Sequence, residues 1–443
     1  MLISKDQEVR PEYQEGSQLA SAGGPSGVSE PPPPFQDTER HGAIDIDSND
    51  ETYAPEGGEE PPPDFTPYEA EFMVSGTGNI VSHDLHLNQD GEALYRFLLS
   101  QANTPPTYQL HCRGTHQETR TRFVSDSDGQ SQSRNRTETE TITVTDFDFY
   151  VDVGRNIVSG PVHWSVGDSE PAYRGTMVKQ VDLPDGRRNA TRKEIKSAET
   201  WQKERSGKGL PPWVGQDWFN RPGPDGPHDG TVLKSSKTLR QWADEYCASP
   251  KDLKEFEYKK VIYGWNIQAL TDATRAAIKS TGYHGSLSVG FETTVDRIYI
   301  RPDNGLSRVL SNKWLKFLLV ITLIYPFIWL FKRFHSRGGG RWVVCGGAYA
   351  LKCYQPISDN DGQFPNTTGF GDPSILKTTM TAETVAPGGG LLRLVGVREG
   401  EWFHDWEGAI RSAVISRLQS KAPMTHPGTR PYNNPAALML DGY

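Results

Sequence analysis

The sequence predicts an α+β fold: a cytosolic mixed sheet with a few helices, a disordered acidic N-terminus and one transmembrane helix. Three observations predict it. Runs rich in β-branched and aromatic residues alternate with helical periodicities between residues 66 and 311. Residues 317–331, FLLVITLIYPFIWLF, carry no charge. The first 65 residues hold fifteen Asp and Glu against Lys5, Arg10 and Arg40.

That N-terminal segment, 1–65, is broken by proline runs (PPPPF, EEPPPDF) and has too few apolar residues to offset the ordering entropy of a fold. Its polyproline stretches suit a protein partner that reads extended proline helices. No secretory signal opens the chain, since MLISKDQEVRPEYQEG is charged and lacks an apolar core. The segment carries a net charge of −12 within a chain of −9, so the remainder is close to +3. Such a balance supplies no basic footprint for nucleic acid. Four widely spaced cysteines, Cys112, Cys247, Cys345 and Cys353, read as reduced thiols.

Residues 66–155 form the first part of the α+β domain. YEAEFMV and GNIVSHDLHL pair as strands across SGTG, GEALYRFLLSQA is a short amphipathic helix, and TYQLHCRGTHQETRTR and TETITVTDFDFYVDV are long strands. Residues 156–231 read as a poorly ordered insertion, with loop chemistry in PDGRRNATRKE and RPGPDGPHDG. The second part, 232–311, contains helical LRQWADEYC and NIQALTDATRAAIKST. Strands follow in FEYKKVIYGW, GSLSVGFE and RIYIRP, the last expected to be the hairpin partner of GSLSVGFE.

The apolar run alone rises about 22 Å as a helix, short of a hydrocarbon core of roughly 30 Å. Extended over 312–335 it gains a flank at each end. Trp314, Lys316, Trp329, Lys332, Arg333 and Phe334 are the expected membrane-interface residues: cations that snorkel and aromatic rings that sit at headgroup level. Pro326 removes a backbone donor mid-run, so a kinked span is expected there. A re-entrant hairpin is the alternative, with very short arms. Without a signal sequence, the domain ahead of the span is expected in the cytosol, at the endoplasmic reticulum or another thin endomembrane. The sequons at Asn135 and Asn189 before the span, and Asn366 after it, report on orientation.

Residues 336–443 read as a C-terminal tail. HSRGGGRWVVCGGAYALKCY is a flexible linker or a headgroup-hugging segment with Trp342 and Tyr349 in the interface, and a lumenal location would allow Cys345 and Cys353 to pair. An amphipathic helix at about 400–420 packs on the domain, lies on lipid or binds a partner protein.

No catalytic, cofactor-binding or metal-binding residue is assigned. Asp146, Asp148 and Asp152 alternate along one strand, which can collect a hard cation but, with no glycine-shaped ligand loop beside it, reads first as a solvated strand face. His83, His86, His111, Cys112 and His116 include zinc-ligand types, but an extended strand turns His83 and His86 to opposite faces. Ser82-His83-Asp84 has the letters of a triad without its geometry, and no hydrolase, nucleotide or kinase motif is present.

The run FLLVITLIYPFIWLFKRFHSRGGGRWVVCGGAYALK, with GEALYRFLLSQANTPPTYQLHCRGTH upstream, resembles predicted single-pass membrane proteins of fungal type with no known activity. The resemblance spans about residues 59–420 and implies one membrane segment. The expectation is a membrane-anchored, non-enzymatic adaptor or binding protein whose partners are the lipid bilayer and a protein. The alternative is a membrane-bound enzyme acting on lipid or a lipid-linked substrate.

Overall fold

In the computed structural model, residues 69–126, 134–216, 232–356, 383–385 and 391–428 are described, and the acidic segment 1–65 with its proline runs lies outside them. The chain begins with β1 (Met73–Val74), β2 (Ile80–Ser82), α1 (Gly91–Ala102), β3 (Thr107–Asp126) and β4 (Arg134–Asp152). β5 (Ser159–Ser165), β6 (Ala172–Thr176), β7 (Lys179–Leu183), β8 (Gly186–Asn189), α2 (Arg192–Gly207) and α3 (Leu239–Ala248) follow. Next come β9 (Leu253–Tyr263), α4 (Ile267–Lys279), β10 (Ser286–Thr294), β11 (Arg297–Ile300), α5 (Gly305–Ser311), α6 (Lys313–Ile321) and α7 (Ile324–Phe334). β12 (Gly339–Ala350), β13 (Lys352–Pro356), β14 (Glu383–Val385), β15 (Leu391–Gly396) and α8 (Glu399–Ile415) complete it.

The expected α+β class holds. The main sheet runs β1-β2-β11-β9-β12-β6-β7-β8, with β5 also pairing β12. Smaller sheets are β10-β3-β4 and β13-β15-β14. One core lies between the main sheet and the helices α1 and α3, around Leu94, Trp242, Phe256 and Trp342. A second joins the β3-β4-β10 ribbon to α4 and α8, around Phe147, Phe149, Trp265 and Trp402. Phe147, Phe149, Val151 and Val153 do turn to this core, as their alternation with the aspartates requires.

β9 shows how the sheet is built. Phe256 and Tyr258 face the α1–α3 core, and at either end of that face Lys254 and Lys260 extend to helix termini. Lys254 Nζ donates to Asn88 O (3.1 Å), Tyr246 O (2.9 Å), Cys247 O (3.2 Å) and Ser249 O (3.1 Å) around the end of α3. Lys260 Nζ donates to Gln101 O (2.8 Å) and Thr104 O (2.6 Å) at the end of α1. A buried ammonium thus satisfies carbonyls that the helices leave unpaired and sits at the negative end of each dipole. Burial pushes the Lys260 amine down to about 8.

Several sequence expectations need correction. Residues 336–443 are not a separate tail. β12 is hydrogen-bonded along β9 on one side and to β6 and β5 on the other, in the middle of the main sheet. Trp342 and Tyr349 are buried core residues rather than interface anchors. Cys345 and Cys353 lie on consecutive strands and are not joined by a disulfide. The region 156–231 is no loose insertion either, because β5, β6, β7, β8 and α2 form within it, although 217–231 lie outside the described residues. RIYIRP does not pair with GSLSVGFE. Val295 adopts φ 58°, so the chain leaves β10, which pairs β3, and enters β11 between β9 and β2. α8 packs its Trp402, Trp406, Ile410 and Val414 stripe into the second core.

Topology then fixes the apolar segment. Ile300 at the end of β11 lies opposite Phe256, and Gly339 at the start of β12 lies opposite Leu253. Both legs therefore attach at the N-terminal end of β9, one on each side of it, two strand spacings or about 10 Å apart.

Lys254→Met is expected to destabilise the protein by about 2–3 kcal/mol, because four buried carbonyls lose a charged donor. The shift should appear as a lower denaturant midpoint at unchanged slope. An unchanged midpoint would show that water serves these carbonyls equally well.

Candidate functional site

The apolar segment folds as two short helices, not one. Asn312 caps α6 by accepting from Trp314 N (3.0 Å). The helix ends at Thr322, whose hydroxyl turns back to Leu318 O (3.0 Å), and Leu323 takes the left-handed conformation at φ 58°. α6 and α7 meet at 100°, and no single helix among the described residues is long and apolar enough to cross a membrane. The expected kink at Pro326 is corrected by this geometry. The break falls at Thr322–Leu323, and Pro326 sits in the first turn of α7, where no intrahelical donor is required.

Neither helix is enclosed by the rest of the chain. Trp314 is 81% exposed, Leu323 69%, Phe327 71% and Phe334 72%, and no residue of α7 is buried. Between Phe317 and Phe331, where the pair carries no charge, that is a large apolar surface left outside the core of the described residues.

The six residues singled out by sequence divide into two groups. Trp314 and Phe334 project outward, and Arg333 lies over the rings of Trp329 (5.7 Å) and Phe334 (5.8 Å). Lys316, Trp329 and Lys332 line a cavity of about 120 Å³ at the root of the two helices. Its remaining wall comes from β9, β11 and α5 and includes Glu255, Arg301 and Ser311, which sequence reasoning missed. Strand alternation puts Glu255 on the face opposite Phe256, and the β11-β9-β12 order brings its partners to it.

Glu255 is the electrostatic centre of this root. Its Oε2 accepts from Arg301 Nε (2.8 Å), and Arg341 Nε approaches Oε1 at 3.2 Å. Burial alone would raise its pKa, but Arg301, Lys332 and Arg341 outweigh burial and hold the carboxyl below its ordinary value. The neighbouring Glu257 pairs with Arg297 (3.0 Å) and Arg341 (3.0 Å). Lys316 Nζ lies 5.6 Å from the centre of the Tyr325 ring across the two helices.

α5 is tied to the sheet through His83. Its Nδ1 is 3.0 Å from Pro302 O and its Nε2 is 3.0 Å from Ser311 Oγ. A carbonyl only accepts, so Nδ1 carries the proton and, in the neutral ring, Nε2 competes with Ser307 O for the single hydroxyl proton of Ser311. Arg301 Nη1 donates to the same hydroxyl (2.9 Å), which also lies 2.9 Å from Ser307 O. Held on three sides, Ser311 joins β2, β11 and α5 in a knot that steadies the helices rather than standing free as a nucleophile. Ser82 and Asp84 take no part: Ser82 Oγ donates to Glu71 O, and Asp84 accepts from His86 N.

The other histidines serve elsewhere. His111 lies between Asp148 (2.7 Å) and Glu292 (2.8 Å) and stacks on Tyr150, while His116 bonds Asp146, which Tyr283 also reaches. Cys112 is buried in the second core. Asp152 accepts from Gly154 N. Among the described residues no group of three or more His, Cys, Asp or Glu is placed to hold a metal ion.

With the geometry in view, comparison with known proteins adds nothing: no family model, curated protein or solved structure matches the chain.

His83 and His111 should titrate on opposite sides of the ordinary value of 6.5. Burial, reinforced by Arg301 and Arg308, lowers His83. Burial also opposes the charge on His111, but its two carboxylate partners prevail and raise it. His111 thus contributes stability fully below 6.5, which is lost as pH rises through its raised folded value. His83 contributes the reverse: stability falls as pH drops below 6.5 towards its folded value. Ring-proton NMR titration should give that order, and the opposite order would contradict both environments.

Proposed function

We propose that this protein is a membrane-anchored, non-enzymatic binding protein whose α6–α7 hairpin dips into one leaflet, leaving the α+β domain on the side from which the hairpin entered. One observation carries this reading. A helical pair whose charge-free run, 317–331, is largely exposed has both of its legs attached to one end of one strand. Lipid is the occupant that such a surface fits. The two helices are apolar over their tip and cationic or aromatic at the root, where Lys316, Lys332, Arg333 and Trp329 would meet headgroups. A protein groove would be expected to leave one polar stripe facing water, and FLLVITLIYPFIWLF provides none.

Anchoring in one leaflet also suits the backbone. Thr322 and Leu323 interrupt the helical ladder at the tip, and Thr322 satisfies Leu318 O from its own side chain, which limits the polar groups carried into lipid. The domain held at the surface then presents its remaining faces to a soluble partner. An adaptor role follows from that placement, with the acidic, proline-rich N-terminal segment as a tether.

Replacing Ile321, Leu323 and Phe327 by Ser tests this reading without disturbing the core, since all three are more than 60% exposed. Each loses about 1.5–3 kcal/mol of apolar transfer energy. Flotation with phosphatidylcholine vesicles should therefore fall at least tenfold while the denaturant midpoint stays unchanged. Equal flotation of the triple variant and the parent chain would refute hairpin insertion.

A further inference from the structure

We infer that the cavity at the root of the α6–α7 hairpin binds the phosphate of an anionic membrane phospholipid. This rests on the one-leaflet reading above and deepens it from general lipid contact to headgroup recognition.

The charge count points there. Arg301, Lys316 and Lys332 face the cavity against a single carboxylate, Glu255. That carboxylate is already engaged at both oxygens, by Arg301 and Arg341. Lys254 also contributes to the wall, but its ammonium is directed to the carbonyls around α3 on the other face of β9 and adds no charge to the cavity. Lys332 is also drawn to Glu255 and Lys316 lies over Tyr325, yet the cations at the cavity still outnumber its one carboxylate, with the Lys316 residue exposed on α6 and Lys332 half-buried on α7. A phosphate placed between them would neutralise that surplus and receive charge-assisted hydrogen bonds.

Shape and position narrow the ligand. The cavity, at about 120 Å³, has room for a phosphate group. Beside Ser307 and Ser311, the side chains of Leu310, Ile328 and Trp329 add an apolar part to the wall, which continues into the exposed surfaces of α6 and α7. A ligand with an anionic head and hydrocarbon tails matches that sequence of surfaces. With the hairpin inserted, the root also stands at headgroup depth, where each such phosphate is already presented. Long anionic polymers would need a basic track, which this small site does not provide.

The test uses the full-length chain and two vesicle compositions: phosphatidylcholine alone and phosphatidylcholine with phosphatidate. The parent chain is expected to bind the phosphatidate vesicles at least tenfold more tightly. The double variant Lys316→Gln, Lys332→Gln should lose that preference yet still bind phosphatidylcholine, and Lys316→Arg, Lys332→Arg should keep it. Arg337→Gln, outside the cavity and exposed, should also keep it, which separates site binding from general attraction to a negative surface. Inorganic phosphate without vesicles is the soluble arm: saturable binding there that abolishes the vesicle preference would overturn the lipid as the source. Equal binding to both vesicles, or a preference surviving the double Gln variant, would overturn the site while leaving hairpin insertion intact. Failure of the parent chain to bind either vesicle would instead overturn the underlying reading.

Discussion

Everything distinctive about this protein depends on how the N-terminal end of β9 holds two distant pieces of chain. Asp252 N donates to Arg337 O (2.9 Å) and Leu253 N to Gly338 O, which fixes the returning leg. Asn304 Nδ2 donates to Asp252 O (2.6 Å), which fixes the outgoing leg. The carboxylate of Asp252 adds a long contact to Arg337 at 3.7 Å, a surface pair worth little by itself. Backbone bonds on both sides of one strand therefore decide that the apolar segment leaves and returns at the same edge. Once that is so, residues on either side of the segment share a sheet, and a hydrogen-bonded sheet cannot be divided by a bilayer.

The charges beneath the hairpin follow from the same strand. A β-strand turns alternate side chains to opposite faces, so the register that sends Phe256 and Tyr258 into the α1–α3 core obliges Glu255 and Glu257 to face the other way. β11 and β12 flank β9 and supply Arg297, Arg301 and Arg341 to meet them. Removing one arginine would leave a buried carboxylate underpaired, a change that costs more than the pair itself contributes. The depressed pKa of Glu255 adds stability above its unfolded value, which is lost as pH falls through the folded one. Sheet and hairpin are thus electrostatically joined at the hairpin root.

Much of this was legible in the sequence, and the failures have physical causes. Local elements came through: the strand pair around SGTG, the helix GEALYRFLLSQA, the ribbon of β3 and β4, and the α8 stripe all follow from periodicity. The serious misreading was RGGGRWVVCGGAYALK, taken as a flexible linker or a headgroup-hugging segment. Here glycine reflects close packing. A Cβ on Gly346 would lie 2.0 Å from Lys259 O, and one on Gly347 would meet the Tyr258 hydroxyl at 2.6 Å. A central strand buried on both faces lacks the alternation that marks an exposed one. Pro326 misled for a different reason: a proline is conspicuous in sequence, whereas a left-handed Leu323 is not. The root cavity was illegible because Glu255, Arg301 and Ser311 come together only through non-local strand order.

The measurement that bears most directly on the shared sheet is a distance across the hairpin's base in the membrane-bound state. Spin labels at Asp303→Cys and Arg337→Cys, both exposed, can be read by pulsed electron resonance in reconstituted bilayers against the unsubstituted chain. Both positions lie beside Asp252, so the account predicts a short separation, on the order of 10–20 Å for sites two strand spacings apart plus their linkers. A separation of roughly 30 Å or more, the thickness of a hydrocarbon core, would place the two legs on opposite sides and contradict it.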